Sequence, residues 1–380
     1  MNLRHLHVVR LWLAVLAACL LAACQRGPQL HTQESYVFGT RVEVLVWDAE
    51  EARARTAVAA VLREFDRLHR TYHAWQPSEL SALNEAIAAG RAVEVSEELA
   101  GFAAEAKVLS ARGDHLFDPG IGRLVALWGF HDDSFKPELP DPDKFAALVR
   151  ARPSIADLVI AAGQCPPPGR PQAGTATGPE PRSGEPSSPP PPGRGSGGGG
   201  CISSRNRAVA LDFGGYLKGV ALDRAAAILR SQGIANALVN IGGNVMALGT
   251  KGERPWRVGI QDPRAPTPLA TLDLRDGEAV GTSGDYQRFF ELDGHRYSHL
   301  VDPRTGHPAE GTRAVTVLIA PRPQAGMWSD VASKPIFIAG AGWREMARRL
   351  DIAAVLRVDA AGRVEMTEAM QARLKMGPGS

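Results

Sequence analysis

The sequence predicts an α+β fold, in one domain carrying a disordered insert. Stretches with strand-like alternation and stretches with helical spacing follow one another without a strict β-α-β order, which argues against a doubly wound parallel sheet. The composition is ordinary for a globular chain, 44% hydrophobic and 22% charged over 380 residues, enough to bury a large core. A Pro- and Gly-rich tract, residues 166–200, has no apolar periodicity and reads as a loop on a connection between neighbouring strands, not as a boundary between domains.

In chain order, the N-terminus MNLRHLHVVRLWLAVLAACLLAAC places Arg4 and Arg10 before an apolar run that ends in small residues, the layout of a secretory signal. The run 11–23 is shorter than the about 20 residues of a spanning helix. Leu21-Ala22-Ala23-Cys24 resembles a bacterial lipobox, in which the cysteine is lipidated and becomes the new N-terminus; a plain signal peptide cleaved nearby is the alternative. Residues 1–23 are therefore read as a lipoprotein signal peptide, 24–35 as a lipidated tether and 36–375 as the folded domain, on the periplasmic side of a bacterial membrane. Gln25 stands where an aspartate favours inner-membrane retention, which leaves inner and outer membrane both open. With Cys19 removed and Cys24 lipidated, Cys165 and Cys201 remain, and an oxidising compartment permits them to pair across the base of the insert.

TRVEVLVW (40–47) alternates as a half-buried strand, and EEARARTAVAAVLREFDRLHRTY carries apolar residues at helical spacing. SEELAGFAAEAKVLSARG opens with Ser96 and an acidic first turn, an N-cap signature. DLVIAA and AVALDF, on either side of the insert, read as short strands. GVALDRAAAILRSQGI is a helix ended by Gly233; NALVNIGG, PWRVGIQ and AVTVLIA are strands, and GWREMARRLD is a late helix. The net charge is +2, with 43 basic and 41 acidic residues interspersed, so there is no basic footprint for nucleic acid.

No Walker loop, H-E-x-x-H or G-x-S-x-G elbow is present. Four segments concentrate polar residues instead. HLFDPGIGRLVALWGFH sets Asp118-Pro119-Gly120 before an apolar helix, and LDFGGYLKGVALDRA sets Asp212, Gly214, Gly215 and Lys218 at a strand-to-helix joint, where glycines admit a ligand and a helix N-terminus favours an anion. Taken alone, a well-capped β-turn-α joint is the stronger account of that second segment. VGTSGDYQRFFELDGHRYSHLVDPRTGHP (280–308) suits either a solvated surface loop or a ligand-holding one: Thr282, Ser283 and Gly284 offer donors, and the imidazole of His299 can accept a proton if its neighbours hold its pKa suitably. His295 and His307 read as solvated, and Asp302-Pro303-Arg304-Thr305-Gly306 as a structural corner. In WSDVASKPIFIAG, Asp330 begins a helix and can cap it or hold a hard cation.

Taken together, FGTRVEV, SELSALN, FDPGIGRLVALWGF, LDFGGYLKGVALDRA, NIGGN, TSGDY and HLVDPRTGHP are similar, in this order, to the motifs of the ApbE-type FAD:protein FMN transferases. The resemblance implies an α+β fold of antiparallel sheet with packed helices that binds FAD, cleaves its pyrophosphate with Mg2+ and passes FMN to a threonine hydroxyl of a target protein, releasing AMP. It implies contacts to FAD from Phe38, Trp75, Leu116, Phe117, Asp118, Asp212, Lys218 and Val301, and makes His299 the residue that activates the target hydroxyl. Its metal pattern maps onto Gly215, Asp330 and Ser333, but the threonine ligand is replaced by Lys334, and an ammonium cannot ligate a cation. Three outcomes follow: a metal held with one ligand fewer, Lys334 neutralising the pyrophosphate as a point charge, or impaired catalysis. The implied partners are periplasmic flavin-accepting subunits of Rnf-type or sodium-pumping NADH:quinone reductase systems, or regulators of respiratory reductases. A flavin-binding lipoprotein without transferase activity and an FAD pyrophosphatase are the alternatives.

Overall fold

A computed structural model of the chain describes residues 29–132, 135–165 and 199–376. The predicted signal segment, the Cys24 lipidation site and residues 166–198 of the insert lie outside the described residues. The chain runs β1 (Leu30–Val37), β2 (Thr40–Trp47), α1 (Glu51–Thr71), α2 (Glu79–Ala88), β3 (Val93–Val95), α3 (Glu97–Arg112), α4 (Gly122–Leu127), α5 (Pro142–Ala151), β4 (Leu158–Ala162) and β5 (Gly200–Ser204). It continues with α6 (Leu217–Ser231), β6 (Ala237–Ile241), β7 (Asn244–Leu248), β8 (Trp256–Gln261), β9 (Pro268–Leu274), β10 (Ala279–Gly284), β11 (Phe289–Leu292), β12 (His295–Ser298) and β13 (Thr312–Ile319). Last come α7 (Ala325–Ile338), α8 (Trp343–Arg349), β14 (Ala354–Asp359), β15 (Val364–Met366), α9 (Glu368–Gln371) and β16 (Leu374–Met376).

The central sheet has the order β1-β2-β6-β7-β10-β13-β14-β15, with every neighbouring pair antiparallel. Period-2 alternation sends its side chains into two separate cores. From β2, Val42, Val44 and Val46 join Val58, Val61 and Phe65 of α1 and the apolar residues of α6 and α7, while Leu45 and Trp47 pack on the opposite face. There the small sheet β16-β9-β8 contributes Leu272 and Leu274. The molecule is thus helices, central sheet, small sheet, and each fully buried valine is worth about 2 kcal/mol in apolar area removed from water.

Helices α6 and α7 meet where neither can carry a side chain. A Cβ on Gly219 would lie 2.6 Å from the Gly326 carbonyl oxygen, and one on Gly326 would lie 2.7 Å from that of Gly219. Each helix also supplies an aspartate to N-terminal amides of the other that have no partner within their own helix. Asp223 of α6 accepts from Gly326 N (2.9 Å) and Met327 N (2.8 Å), and Asp330 Oδ2 of α7 accepts from Gly219 N (3.0 Å). These are anion sites of helix N-termini filled from within the protein.

Several expectations need correction. Residues 30–35, read as tether, belong to β1, because their amides pair with β2. Gly200, read as the last insert residue, opens β5, and AVALDF forms no strand beyond an isolated bridge between Ala210 and Ile121. Asp330 sits in the second turn of α7 and caps α6, not its own helix. Much of 280–308 is strand, with β10 in the central sheet and β11-β12 a hairpin. Ser96 does cap α3, accepting from Leu99 N at 3.1 Å, and Gly233 ends α6 with φ +74°. Cys165 and Cys201 are joined in a disulfide. No helix among the described residues is long and apolar enough to cross a membrane.

Candidate functional site

The β1-β2 hairpin, the loops after α1 and α3, the N-terminus of α6, and the β10 and β12 strand ends enclose a cavity of about 650 Å³. Its wall brings together Phe38, Trp75, Leu116, Phe117, Asp118 and Asp212 with Gly215, Lys218, His299, Val301, Asp330 and Lys334. Of the predicted residues, Ser333 stands behind that wall, buried, sharing a hydrogen bond with the Ser283 hydroxyl (2.8 Å) and donating to the Asp330 carbonyl (2.9 Å).

The aromatic side of the cavity is held by strain and by capping. Phe38 occupies the two-residue turn between paired Val37 and Thr40 at φ +57°, a costly conformation for a bulky residue. Its ring is fixed edge-on to His69, with centroids 5.7 Å apart. Trp75 lies in a loop whose amides at Trp75 and Gln76 donate to His73 Nδ1 (3.1 and 3.0 Å), and a capping box between Ser78 and Ser81 starts α2 directly after it.

Two of the predicted contacts serve the scaffold through their side chains. Asp118 Oδ1 accepts from the amides of Gly120 and Ile155 (2.8 Å each), and Oδ2 from the Ser154 hydroxyl (2.5 Å), so its carboxylate ties two loops. Burial pushes that carboxyl above the usual range, opposed by these hydrogen bonds. Asp212 Oδ1 accepts from Gly214 N (2.8 Å), shaping the turn into α6. The neighbouring Leu211 is clamped by Asn84, whose side chain donates to its carbonyl (2.9 Å) and accepts from its amide (2.6 Å). That gives SELSALN a physical role: it sets the Asp212 turn from 127 residues away.

The floor is a charge cluster. Asp330 is fully buried; Lys334 Nζ lies 2.5 Å from its Oδ1 and 2.6 Å from its carbonyl oxygen, and Lys218 Nζ lies 3.7 Å from Oδ1. Burial pushes the Asp330 carboxyl up, but the two ammoniums and the Gly219 amide outweigh it and hold the group ionised. Burial lowers Lys334, against the pull of Asp330. A magnesium ion does not fit this donor set. Mg2+ takes oxygen ligands in octahedral array, and all three oxygens of Asp330 are engaged, Oδ1 and the carbonyl by the Lys334 ammonium and Oδ2 by the Gly219 amide. A divalent ion about 3 Å from that ammonium would be repelled by on the order of 10 kcal/mol at an effective dielectric of about 20.

His299 is half-buried at the cavity edge. Its backbone amide (3.0 Å) and its Nδ1 (3.1 Å) both meet the Arg288 carbonyl, so Nδ1 carries the hydrogen and Nε2 is the basic nitrogen. Burial, with the charges of Arg288, Lys218 and Lys334, pushes the imidazole down to about 3, and it is neutral at working pH. Arg288, a further cavity residue, escaped the sequence reading, although a signal was there. The Asp293-Gly294 turn pairs Leu292 with His295, and the same register runs back through Phe289 and Ser298 to set Arg288 opposite His299. His295 and His307 are exposed, as expected; Asp302 accepts from Arg304, closing the predicted corner.

Comparison with known proteins gives a consistent result. The chain is 37% identical to a Rhodobacter capsulatus protein named FAD:protein FMN transferase over 96% of its own length and spans 63% of that relative. It is 29% identical to a Klebsiella pneumoniae protein of the same name, over 81% of each chain. The crystal structure of the ApbE protein from Thermotoga maritima superposes with a TM-score of 0.72 at 27% identity, covering 91% of this chain and 99% of the other. The sequence model of the ApbE family matches residues 38–356, a span that holds every wall residue of the cavity named above, and by that match the chain belongs to the ApbE family.

Proposed function

We infer that this chain is a FAD:protein FMN transferase. The observation that carries the reading is the composition of one cavity: aromatic rings at one side, two ammoniums around a single buried carboxylate on the floor, and a neutral imidazole whose Nδ1 is bound to the Arg288 carbonyl, which makes Nε2 the basic nitrogen. FAD has the matching parts, a flat ring system and a doubly charged diphosphate. The relatives' shared name supports the same reaction.

In that reaction a target threonine hydroxyl attacks the phosphorus on the FMN side of the diphosphate. The P–O bond to the adenylate breaks, AMP leaves with the bridging oxygen, and the hydroxyl proton passes to His299 Nε2. The cations that stabilise the charge on the leaving phosphate also hold the resting imidazole neutral and weakly basic, and the diphosphate, by offsetting those cations, raises its basicity for this step. Phe38 and Trp75 hold the flavin end; Leu116, Phe117 and Val301 supply apolar wall; the Asp118 and Asp212 turns set the shape of the phosphate side. No step is assigned to Mg2+, because the residues around Asp330 do not suit it.

The N-terminal pattern supports lipid anchoring through Cys24 on the periplasmic side of a membrane, and flavin-accepting redox subunits exposed there, of Rnf-type or sodium-pumping reductases, are the proposed targets. Incubating the full-length chain with FAD and such a subunit tests the reading: a fluorescent covalent band with AMP released is expected. AMP without the band would replace transfer by hydrolysis, and bound FAD with neither product would replace it by simple binding.

A further inference from the structure

We propose that Lys334, together with Lys218, supplies the positive charge that the diphosphate of FAD requires, so that flavin transfer by this chain proceeds without a divalent metal ion. The proposal rests on the transferase reading and names the electrophilic partner within it.

The geometry is that of a built cation site filled by a side chain. Lys334 Nζ is held on two oxygens of one residue, the Asp330 carbonyl (2.6 Å) and Oδ1 (2.5 Å). Its stem passes over Gly215, where a Cβ would lie 2.6 Å from Lys334 Cε, so the turn before α6 leaves room for this lysine only because it has no side chain. The ammonium is therefore placed by two elements, α7 and the α6 turn, and both residues face the cavity. An ammonium has three donors, and Asp330 engages two of those on Lys334, which leaves one N–H for a ligand oxygen. Lys218 is placed in parallel: its Nζ donates to the Gly214 carbonyl (2.6 Å) and stands 3.7 Å from Asp330 Oδ1.

The charges are matched to the substrate. Two ammoniums and one carboxylate leave the floor at net +1 facing a diphosphate of charge −2; Arg288 also lines the wall, as do Asp118 and Asp212, whose carboxylates accept from backbone amides. Asp330 thus acts as a positioning residue: it holds the Lys334 ammonium extended and caps α6 through Gly219. Lys334 and Lys218 donate hydrogen bonds to the non-bridging and leaving oxygens as the P–O bond to AMP breaks, the role a metal ion would fill as a charge clamp. The ledger of the step is unchanged: FAD plus threonine hydroxyl gives the FMN phosphoester, AMP and one proton.

The test has two arms, both on the full-length chain. In the first, FAD binding is followed by flavin fluorescence with EDTA or with excess Mg2+, for the wild type, Lys334→Met and Lys334→Thr. The expected result is wild-type affinity equal within about twofold in the two conditions, about 10- to 100-fold weaker binding by Lys334→Met in both, and binding by Lys334→Thr that is weak in EDTA and recovers with Mg2+. Wild-type binding that strengthens about tenfold or more with Mg2+ would overturn the proposal, as would Lys334→Met binding equal to wild type in EDTA. In the second arm, label transfer to the acceptor subunit should persist in EDTA for the wild type and become Mg2+-dependent in Lys334→Thr. Wild-type transfer lost in EDTA and restored by Mg2+ would overturn metal independence while leaving the transferase reading intact. No transfer by any variant under any condition would count against the transferase reading itself, and the binding arm would then decide the part played by Lys334.

Discussion

His299 offers the sharpest quantitative test, because its ionisation is set by groups that come together only in the folded chain. In the unfolded state its pKa is about 6.5; in the cavity, burial and the cations Arg288, Lys218 and Lys334 push it down to about 3. The folded state therefore refuses a proton that the unfolded state accepts. Stability is unaffected above pH 6.5, falls as pH drops through the window from 6.5 to 3, and levels off below it. At pH 5 the deficit spans about 1.5 pH units, or about 2 kcal/mol. His299→Asn removes the titration while keeping an N–H that can reach the Arg288 carbonyl. Urea unfolding at pH 7 and pH 5 should show the wild type losing about 2 kcal/mol more than the variant across that interval. Equal losses, or an NMR titration placing the His299 midpoint near 6.5, would refute the reasoning. Pyrophosphate added to the folded protein should raise the midpoint, since it offsets the same cations.

Other substitutions test the scaffold beneath the site. Gly219→Ala puts a Cβ 2.6 Å from the Gly326 carbonyl oxygen and 2.8 Å from Asp330 Cβ, so α6 and α7 must separate; we expect a loss of about 2–4 kcal/mol by urea denaturation together with lost FAD binding. Asp118→Asn keeps an acceptor for two amides and can donate to Ser154, so it should stay within about 1 kcal/mol of wild type, whereas Asp118→Ala orphans those amides and should cost about 3 kcal/mol. Asn84→Ala strips both partners from the Leu211 backbone and should cost about 2 kcal/mol, with weaker FAD retention in equilibrium dialysis. Cys201→Ser opens a loop of 36 residues and should lower unfolding free energy by up to about 4 kcal/mol; an unchanged urea midpoint would remove the disulfide from the stability of β5.

The reciprocal aspartates of α6 and α7 show how the site is assembled. A helix N-terminus attracts an anion, and this fold fills two such ends with its own carboxylates. Asp223 bears the cost: burial raises its carboxyl to about 6, with two amide hydrogen bonds pulling the other way. Asp330 avoids that cost because two ammoniums share it. The phosphate-side geometry thus follows from helix packing as much as from any residue that meets the ligand.

Much of this protein was legible in the order of its residues. Backbone hydrogen bonds in helices, hairpins and turns join near neighbours, so alternation in TRVEVLVW, the Ser96 cap and the Gly233 stop could be read locally, and the motifs from FGTRVEV to HLVDPRTGHP named the family. The Arg288–His299 pairing was legible too, through the Asp293-Gly294 turn, and was missed. What local pattern could not carry was the fate of each charge. Asp118, Asp212, Asp223 and Asp330 look alike as side chains, yet one ties loops, one shapes a turn, one caps a helix and one holds an ammonium. Those roles depend on partners brought close by packing, across 111 residues for Gly219 and Asp330, and electrostatic energy depends on distance and burial, which only the tertiary structure decides.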